Sequence, residues 1–342
     1  MSGGVDSSLA AYLLKKKGYN LTGLTMCFGI KHANRRRTAC CDAKAIRDAK
    51  EVCRKLDIPH YVMDFSKELE KKVIKTFISE YQLGRTPNPC VECNRSLKFD
   101  ILLKRARAMG FAFLATGHYA RIERGRLKKA KDKTKDQSYF LYAIKKQNLK
   151  SILFPVGKLK KSEVRKIAKN ARIPVYEKPE SQNICFIPDK DYHKFISKRA
   201  EKKPVEGLIR DTGGKIVGKH KGAIFYTVGQ RGGLGVAYKC PRYVISIDAV
   251  KNELIIGEEK ELASGGLIAK DINLLVDKLP KDAVAKVRYN QGETECTPIL
   301  CKNKKELKIM FKTPEKAITP GQSVVLYKGD NVIGGGIIER SL

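Results

Sequence analysis

The chain has 342 residues, 42% hydrophobic and 31% charged, and its 69 Lys+Arg against 36 Asp+Glu leave a net charge of +33. This length and composition describe two or three folded domains and exclude a disordered or fibrous protein. No apolar run is long enough to span a bilayer and no secretory leader is recognisable, so a cytoplasmic protein with no membrane partner is expected, and the charge points to a polyanion, nucleic acid first. Ten cysteines in a reducing compartment read as thiols, metal ligands or catalytic groups rather than as a disulfide framework.

The chain opens on Ser2-Gly-Gly-Val-Asp-Ser-Ser8, followed directly by an amphipathic run through Leu9, Tyr12 and Leu13. A glycine-rich turn at a helix start aims several backbone N–H groups at one point, where the helix dipole adds positive charge. Gly3 and Gly4 admit close approach of an anion, Ser2, Ser7 and Ser8 add hydroxyls, and Asp6 beside phosphates points to Mg²⁺. A plain capped helix start is the alternative, and the full string argues against it. The string resembles the pyrophosphate loop of the N-type ATP pyrophosphatases, which cleave ATP to AMP and pyrophosphate while adenylating a carbonyl oxygen.

Helical patterns follow at 5–17, 42–56, 67–82, 96–109 and 161–171, with strand candidates between them at Leu21–Met26, His60–Phe65 and Phe111–Thr116. This alternation predicts a doubly wound parallel sheet, with ligands outside the carboxyl ends of the strands near Met26, Phe65 and Gly117. Such a phosphate loop normally follows a central strand, and only Met1 stands before it here. The first strand is therefore expected to lie upstream, encoded in frame as an apolar run of about 5–6 residues.

After residue 200 short β-rich runs take over: Leu208–Arg210, Ile216–Gly218, Arg242–Ile247, Leu254–Ile256, Leu267–Ala269, Ala283–Arg288, Lys308–Phe311, Val324–Tyr327 and Val332–Ile338. Their spacing and glycine punctuation predict a small barrel or sandwich. The expected organisation is an ATP pyrophosphatase domain over 1–195, a small mixed domain over 196–264 and a C-terminal β-barrel over 265–342.

Cys90 and Cys93 form C-x-x-C in Arg85-Thr-Pro-Asn-Pro-Cys-Val-Glu-Cys-Asn-Arg-Ser-Leu-Lys-Phe99. A helix is predicted to start just after Cys93, which should lower the thiol pKa with help from Arg95 and Lys98. No second C-x-x-C completes a four-cysteine zinc site, and Cys40-Cys41 has the wrong spacing for a chelating knuckle. Cys185, in Glu180-Ser-Gln-Asn-Ile-Cys-Phe-Ile187, reads by itself as a buried structural thiol.

Together these segments resemble the tRNA-specific 2-thiouridylases, which thiolate the wobble uridine. The matching strings are SGGVDSS at 2–8, RTPNPCVECNRSLKF at 85–99, LATGHYARI at 114–122, KDQSYFLY at 135–142, LFPVGKLKKSEVRKIA at 153–168, SQNICFI at 181–187, YTVGQRGGLGV at 226–236, VRYNQ at 287–291, ITPGQSVVLY at 318–327 and GGGIIE at 334–339. The resemblance spans the chain in order. It implies that ATP, with Mg²⁺, adenylates the uridine O2 and that sulfur comes from a persulfide on Cys185, charged by a cysteine desulfurase or sulfur-relay protein. Cys93 then releases the sulfur by forming a disulfide with Cys185. It implies ATP contacts at Met1, Ser2, Gly3, Gly4, Val5, Asp6, Ser7, Met26 and Gly117. Target-base contacts are implied at Asn88, Pro89 and Cys90, and further tRNA contacts at His118, Lys135, Asp136, Gln137, Arg288, Tyr289 and Gln322. Lys135 and Arg288 suit phosphates and Tyr289 suits an unpaired base, whereas His118 reads equally well as a structural histidine.

Cys90 stands where some members of the family carry Asp. The resulting trio of Cys90, Cys93 and Cys185 suits a second mechanism, in which an iron–sulfur cluster delivers sulfide. Two further alternatives are another adenylating enzyme of the superfamily and a non-catalytic RNA-binding module with a structural metal at Cys90 and Cys93. The first leaves the cysteines unexplained and the second leaves the loop unexplained.

Overall fold

The computed structural model describes residues 1–29, 43–180, 184–187, 191–200, 203–302 and 305–342. The chain divides into two compact units, one of Met1–Val73, Cys90–Lys190 and Asp330–Val332, the other of Ile74–Pro89, Asp191–Gly329 and Ile333–Leu342.

In the first unit, Gly23–Cys27 pairs in parallel with His60–Asp64, and Leu114–Ala115 pairs in parallel with Ile152–Leu153. These are two separate two-stranded sheets among the described residues. The expected strand Phe111–Thr116 contracts to Leu114–Ala115 because its partner, Ile152–Leu153, offers only two rungs. The helices Val5–Lys16, Ala43–Lys55 and Lys161–Asn170 come from amphipathic segments. Leu9, Ala10, Val52, Val164 and Ala168 bury their apolar faces in one cluster with Val5 and Tyr119, which fixes the start of the first helix against the rest of the unit. The predicted helix at 96–109 begins earlier, at Pro89, and continues through Cys93–Leu102 and Leu103–Ala108. Proline suits a first helical turn because it lacks an N–H that would have no partner there.

The second unit holds two β structures. A four-stranded sheet runs in the order Ile216–His220, Gly207–Asp211, Glu253–Gly257, Tyr243–Asp248, over a core of Ile209, Tyr226, Leu234, Val244, Leu254 and Ile256. A closed barrel runs Ala263–Leu274, Leu307–Lys316, Thr294–Leu300, Ala283–Lys286, Ser323–Lys328, Asn331–Ser341, and the last strand pairs back onto the first. Closure removes the free edges and packs Leu267, Ala285, Ile309, Val324, Leu326 and Ile338 inside. Thr294–Leu300 escapes sequence reading because Pro298 interrupts it. Pro298 lies past the residues paired with Ala283–Lys286, so on that side the ladder requires no N–H from it.

Candidate active site

Gly3 takes φ +67°, and a Cβ there would stand 2.4 Å from the Ala45 carbonyl oxygen, so the turn demands glycine. Gly4 is the N-cap of the first helix, and among the described residues no side chain caps it. The first-turn N–H groups of Val5, Asp6 and Ser7 are thus left for another acceptor. The hydroxyls of Ser7 and Ser8 instead donate to the Gly4 carbonyl at 3.1 and 2.9 Å, and Ser2 and Ser7 hydroxyls lie 3.0 Å apart, which stiffens the loop. Gly117 presses on it from outside, where a Cβ would meet the Ser7 nitrogen at 2.5 Å. Met26 sits on Gly23–Cys27, and Thr25 beside it donates to the Met1 carbonyl at 2.8 Å.

Charge around the loop is dense and compensated. Lys161 Nζ contacts both Asp6 carboxylate oxygens at 2.7 and 2.8 Å and Glu180 at 2.8 Å. Tyr119 donates to Asp6 at 2.7 Å, and Lys135 pairs with Glu180 at 2.9 Å. Hydrogen bonds from Lys135 and Lys161 hold the Glu180 carboxyl down to about 2. Burial, with the adjacent Asp6 carboxylate, pushes the Tyr119 phenol far up, so it stays a donor. Lys178 donates to the Gly3 carbonyl at 2.9 Å and to Asp48 at 2.5 Å. Sequence reading assigned no role to Tyr119, Lys161, Lys178 or Glu180. One signal was present: Lys160 and Lys161 open a helix, where the dipole disfavours cations.

The thiols contradict the expected lowered pKa. Cys93 is buried while Cys90 and Cys185 reach the surface, yet the protein packed around all three raises each thiol, Cys185 to about 12. Desolvation outweighs the helix start because Cys90 and Cys93 lie within the helix that opens at Pro89. The charges of Cys90 and Cys93 both act on Cys185, so these three thiols share one neighbourhood despite their distance in sequence. Lys98 is the cation that acts on all three. Its ammonium donates to Asn94 at 3.0 Å, and the buried Asn94 amide donates to the Phe140 carbonyl at 3.1 Å.

Neither expected metal finds a prepared site. Among the described residues no group of three His, Cys, Asp or Glu side chains is arranged to hold a metal ion. The thiol trio therefore does not fit a cluster as it stands, and no step is derived through one. Asp6 is already neutralised by Lys161 on both oxygens.

The remaining predicted residues divide by unit. His118 receives or gives a 2.7 Å hydrogen bond with Thr116 and packs between Phe99 and Phe154 rings. Burial and Lys98 hold its pKa well below the usual imidazole value, so it is neutral, as a structural histidine would be. Asp136 accepts from the Ala130 backbone N–H and the Ser138 hydroxyl, and Gln137 accepts from the Tyr119 N–H. In the second unit, Gln322 donates to the Thr86 carbonyl at 2.8 Å, two residues before Asn88 and three before Pro89. Arg288 donates to the Val228 and Ala317 carbonyls at 2.8 and 2.9 Å and to the Thr319 hydroxyl. The Lys286 ammonium lies 5.6 Å from the Tyr289 ring centre. Cys40, Cys41 and residues 181–183 lie outside the described residues.

Comparison with known proteins matches three successive family models. They are a tRNA methyl transferase HUP domain over residues 1–189, a tRNA methyl transferase PRC-barrel domain over 193–258 and an aminomethyltransferase beta-barrel domain over 264–338. The chain is 47% identical to tRNA-specific 2-thiouridylase MnmA 1 of Syntrophus aciditrophicus, over 100% of this chain and 92% of that protein. It is 46% identical to MnmA 2 of Thermoanaerobacter sp. strain X514 and 45% identical to MnmA of Clostridioides difficile, each over 100% of this chain and 97% of the relative. With an uncapped glycine loop at one helix start and three thiols gathered under one lysine in the same unit, the chain belongs to the tRNA-specific 2-thiouridylase family.

Proposed function

We propose that this protein is an ATP-dependent tRNA sulfurtransferase that converts the wobble uridine to 2-thiouridine. The observation that carries the reading is that Cys185, Cys93 and Lys98 share one electrostatic neighbourhood, in the unit that also bears the glycine loop and its helix start, uncapped by any side chain among the described residues. The loop N–H groups, Lys161 and Lys178 suit the phosphates of ATP, with magnesium entering as part of the substrate Mg·ATP rather than in a site of its own. Attack of the uridine O2 on the α-phosphorus breaks the α–β bond, releases pyrophosphate and leaves O2 as part of an AMP leaving group.

A persulfide on Cys185, loaded by a cysteine desulfurase or relay protein, then attacks C2, and the C2–O2 bond breaks as AMP departs. The Cys93 thiolate attacks the Cys185 sulfur, the S–S bond breaks, and the outer sulfur remains on C2 as the thiocarbonyl. Cys93 and Cys185 are left as a disulfide, which an external thiol reduces. Burial keeps the resting thiols protonated, and this suits nucleophiles that must not react before substrate closes over them. Asn88, Pro89 and Cys90 are the proposed contacts of the target base, which leaves its single-stranded stack at small cost.

The test is thiolation of unmodified tRNA with a desulfurase, cysteine and ATP, followed by nucleoside mass spectrometry. Cys93→Ser and Cys185→Ser should each lower 2-thiouridine formation by at least about a thousandfold while tRNA-stimulated pyrophosphate release persists. Thiolation near the wild-type rate in either variant would sink the persulfide scheme.

A further inference from the structure

Between Asp211 and Asp248 the chain contains no carboxylate but carries Lys215, Lys219, Lys221, Arg231, Lys239 and Arg242. Carboxylates return immediately afterwards, at Asp248, Glu253, Glu258, Glu259 and Glu261. A uniformly basic composition would not sort charge in this way. Five of the six cations are exposed, and Arg242 is half-buried.

The acid-free stretch includes the glycine-rich loop 227–236, whose base is firmly tied. Gly229 donates to the Val244 carbonyl at 2.8 Å, Val244 donates to the Gln230 carbonyl at 3.0 Å, and the Thr227 N–H donates to the Gln230 side chain at 3.1 Å. Arg288 grips the Val228 carbonyl from the barrel residues it shares with Ala317 and Thr319. Gly229 and Gly233 take φ +86° and +76°, so the turn holds a shape that side chains at those positions would strain. Arg231 projects from the tip, exposed and without an ion pair among the described residues. The Thr227 hydroxyl lies 3.1 Å from that of Thr86, which puts the base of the loop against the segment leading to Asn88 and Pro89. Beyond the loop, the Arg242 guanidinium stacks 4.5 Å above the Tyr238 ring with its Nη1 3.6 Å from the Glu258 carboxylate, and its Nε is buried without a hydrogen-bond partner among the described residues.

We propose that the loop 227–236 and the turn Tyr238–Arg242 form a grip on the tRNA backbone, with Arg231 meeting a phosphate. The proposal rests on the tRNA-thiolating reading above and adds to it the residues that hold the substrate's backbone. A tip cation on a stiff loop loses little side-chain freedom when it meets a phosphate, and an arginine fork matches phosphate oxygens in pairs. Arg288, expected as a phosphate contact, also ties this loop through one of its guanidinium nitrogens.

Titration of unmodified tRNA into the full chain at several salt concentrations tests it. Arg231→Ala should weaken binding roughly tenfold and reduce the slope of log affinity against log salt by about 1. Arg231→Lys should restore the slope but not the full affinity. Because Arg231 is exposed, its variants should keep the wild-type unfolding temperature; a joint Lys239→Ala and Arg242→Ala variant provides an independent second reading and should lower both affinity and slope. Wild-type affinity and slope in both the Arg231→Ala and the joint variant would overturn the grip while leaving tRNA thiolation standing. A wild-type chain that neither binds nor thiolates tRNA would instead overturn the reading on which it rests.

Discussion

The phosphate loop and the thiol cluster occupy the same unit and treat charge in opposite ways. Around Ser2–Ser8 charged groups are concentrated: Lys135, Glu180, Lys161 and Asp6 form a chain of contacts of 2.7–2.9 Å. Each charge is compensated by a neighbour. Around Cys90, Cys93 and Cys185 charge is suppressed: burial pushes every thiol toward its neutral form, and Lys98 alone opposes this on all three. Under the proposed function the first arrangement suits binding, which gains from charges fixed in place, and the second suits nucleophiles, because a sulfur that stays protonated is protected.

The largest expected break lies on the loop side. Ala at Gly117 must push against the Ser7 nitrogen, and Ala at Gly3 must meet the Ala45 carbonyl at a positive φ. Displacing the loop by about 1 Å should lower tRNA-stimulated pyrophosphate release by roughly a hundredfold in either variant. Steady-state kinetics at saturating ATP measure this, and unchanged turnover in both would show that the loop's fit does not matter to the reaction.

On the thiol side, Lys98→Met removes the cation that, among the described residues, acts on all three sulfurs. The pKa of Cys185 should rise further from about 12, and its iodoacetamide alkylation near pH 9, followed by peptide mass spectrometry, should slow roughly threefold to tenfold. Lys98→Arg should restore the rate. An unaltered alkylation rate in Lys98→Met would show that Lys98 does not tune the Cys185 thiol.

The smallest effect concerns Glu180. Its carboxyl is held near 2 in the folded protein against an ordinary value of 4.5. A depressed folded-state pKa contributes stability that is present above the unfolded value and lost as pH falls toward the folded one. The gap in melting temperature between wild type and Glu180→Gln should therefore be constant above about pH 5 and narrow as the pH drops below 4.5, by a few degrees at most. Differential scanning calorimetry across that range decides it, and a gap that widens on acidification would reverse the assignment.

What the amino-acid sequence determined by itself was local or periodic. The helix after Ser2–Ser8 needs only its own glycines and apolar spacing, and the short β runs beyond residue 200 announce themselves by alternation and turns, so both appear where the pattern put them. The cysteine motifs and the family resemblance were also readable, because they depend on residue identity and order. Tertiary structure decided the rest. Asp6 meets Lys161 and Tyr119, and Cys185 comes within electrostatic reach of Cys93, across separations that no local pattern encodes. The sign of the thiol shifts was misjudged for the same reason. A helix start is visible in sequence, but the desolvation that overrides it depends on the distant chain packed on top. Likewise the hydrogen bonds of Arg288 to the Val228 and Ala317 carbonyls are invisible in sequence, because a side chain's hydrogen-bond partners are set by packing and not by its neighbours in the chain.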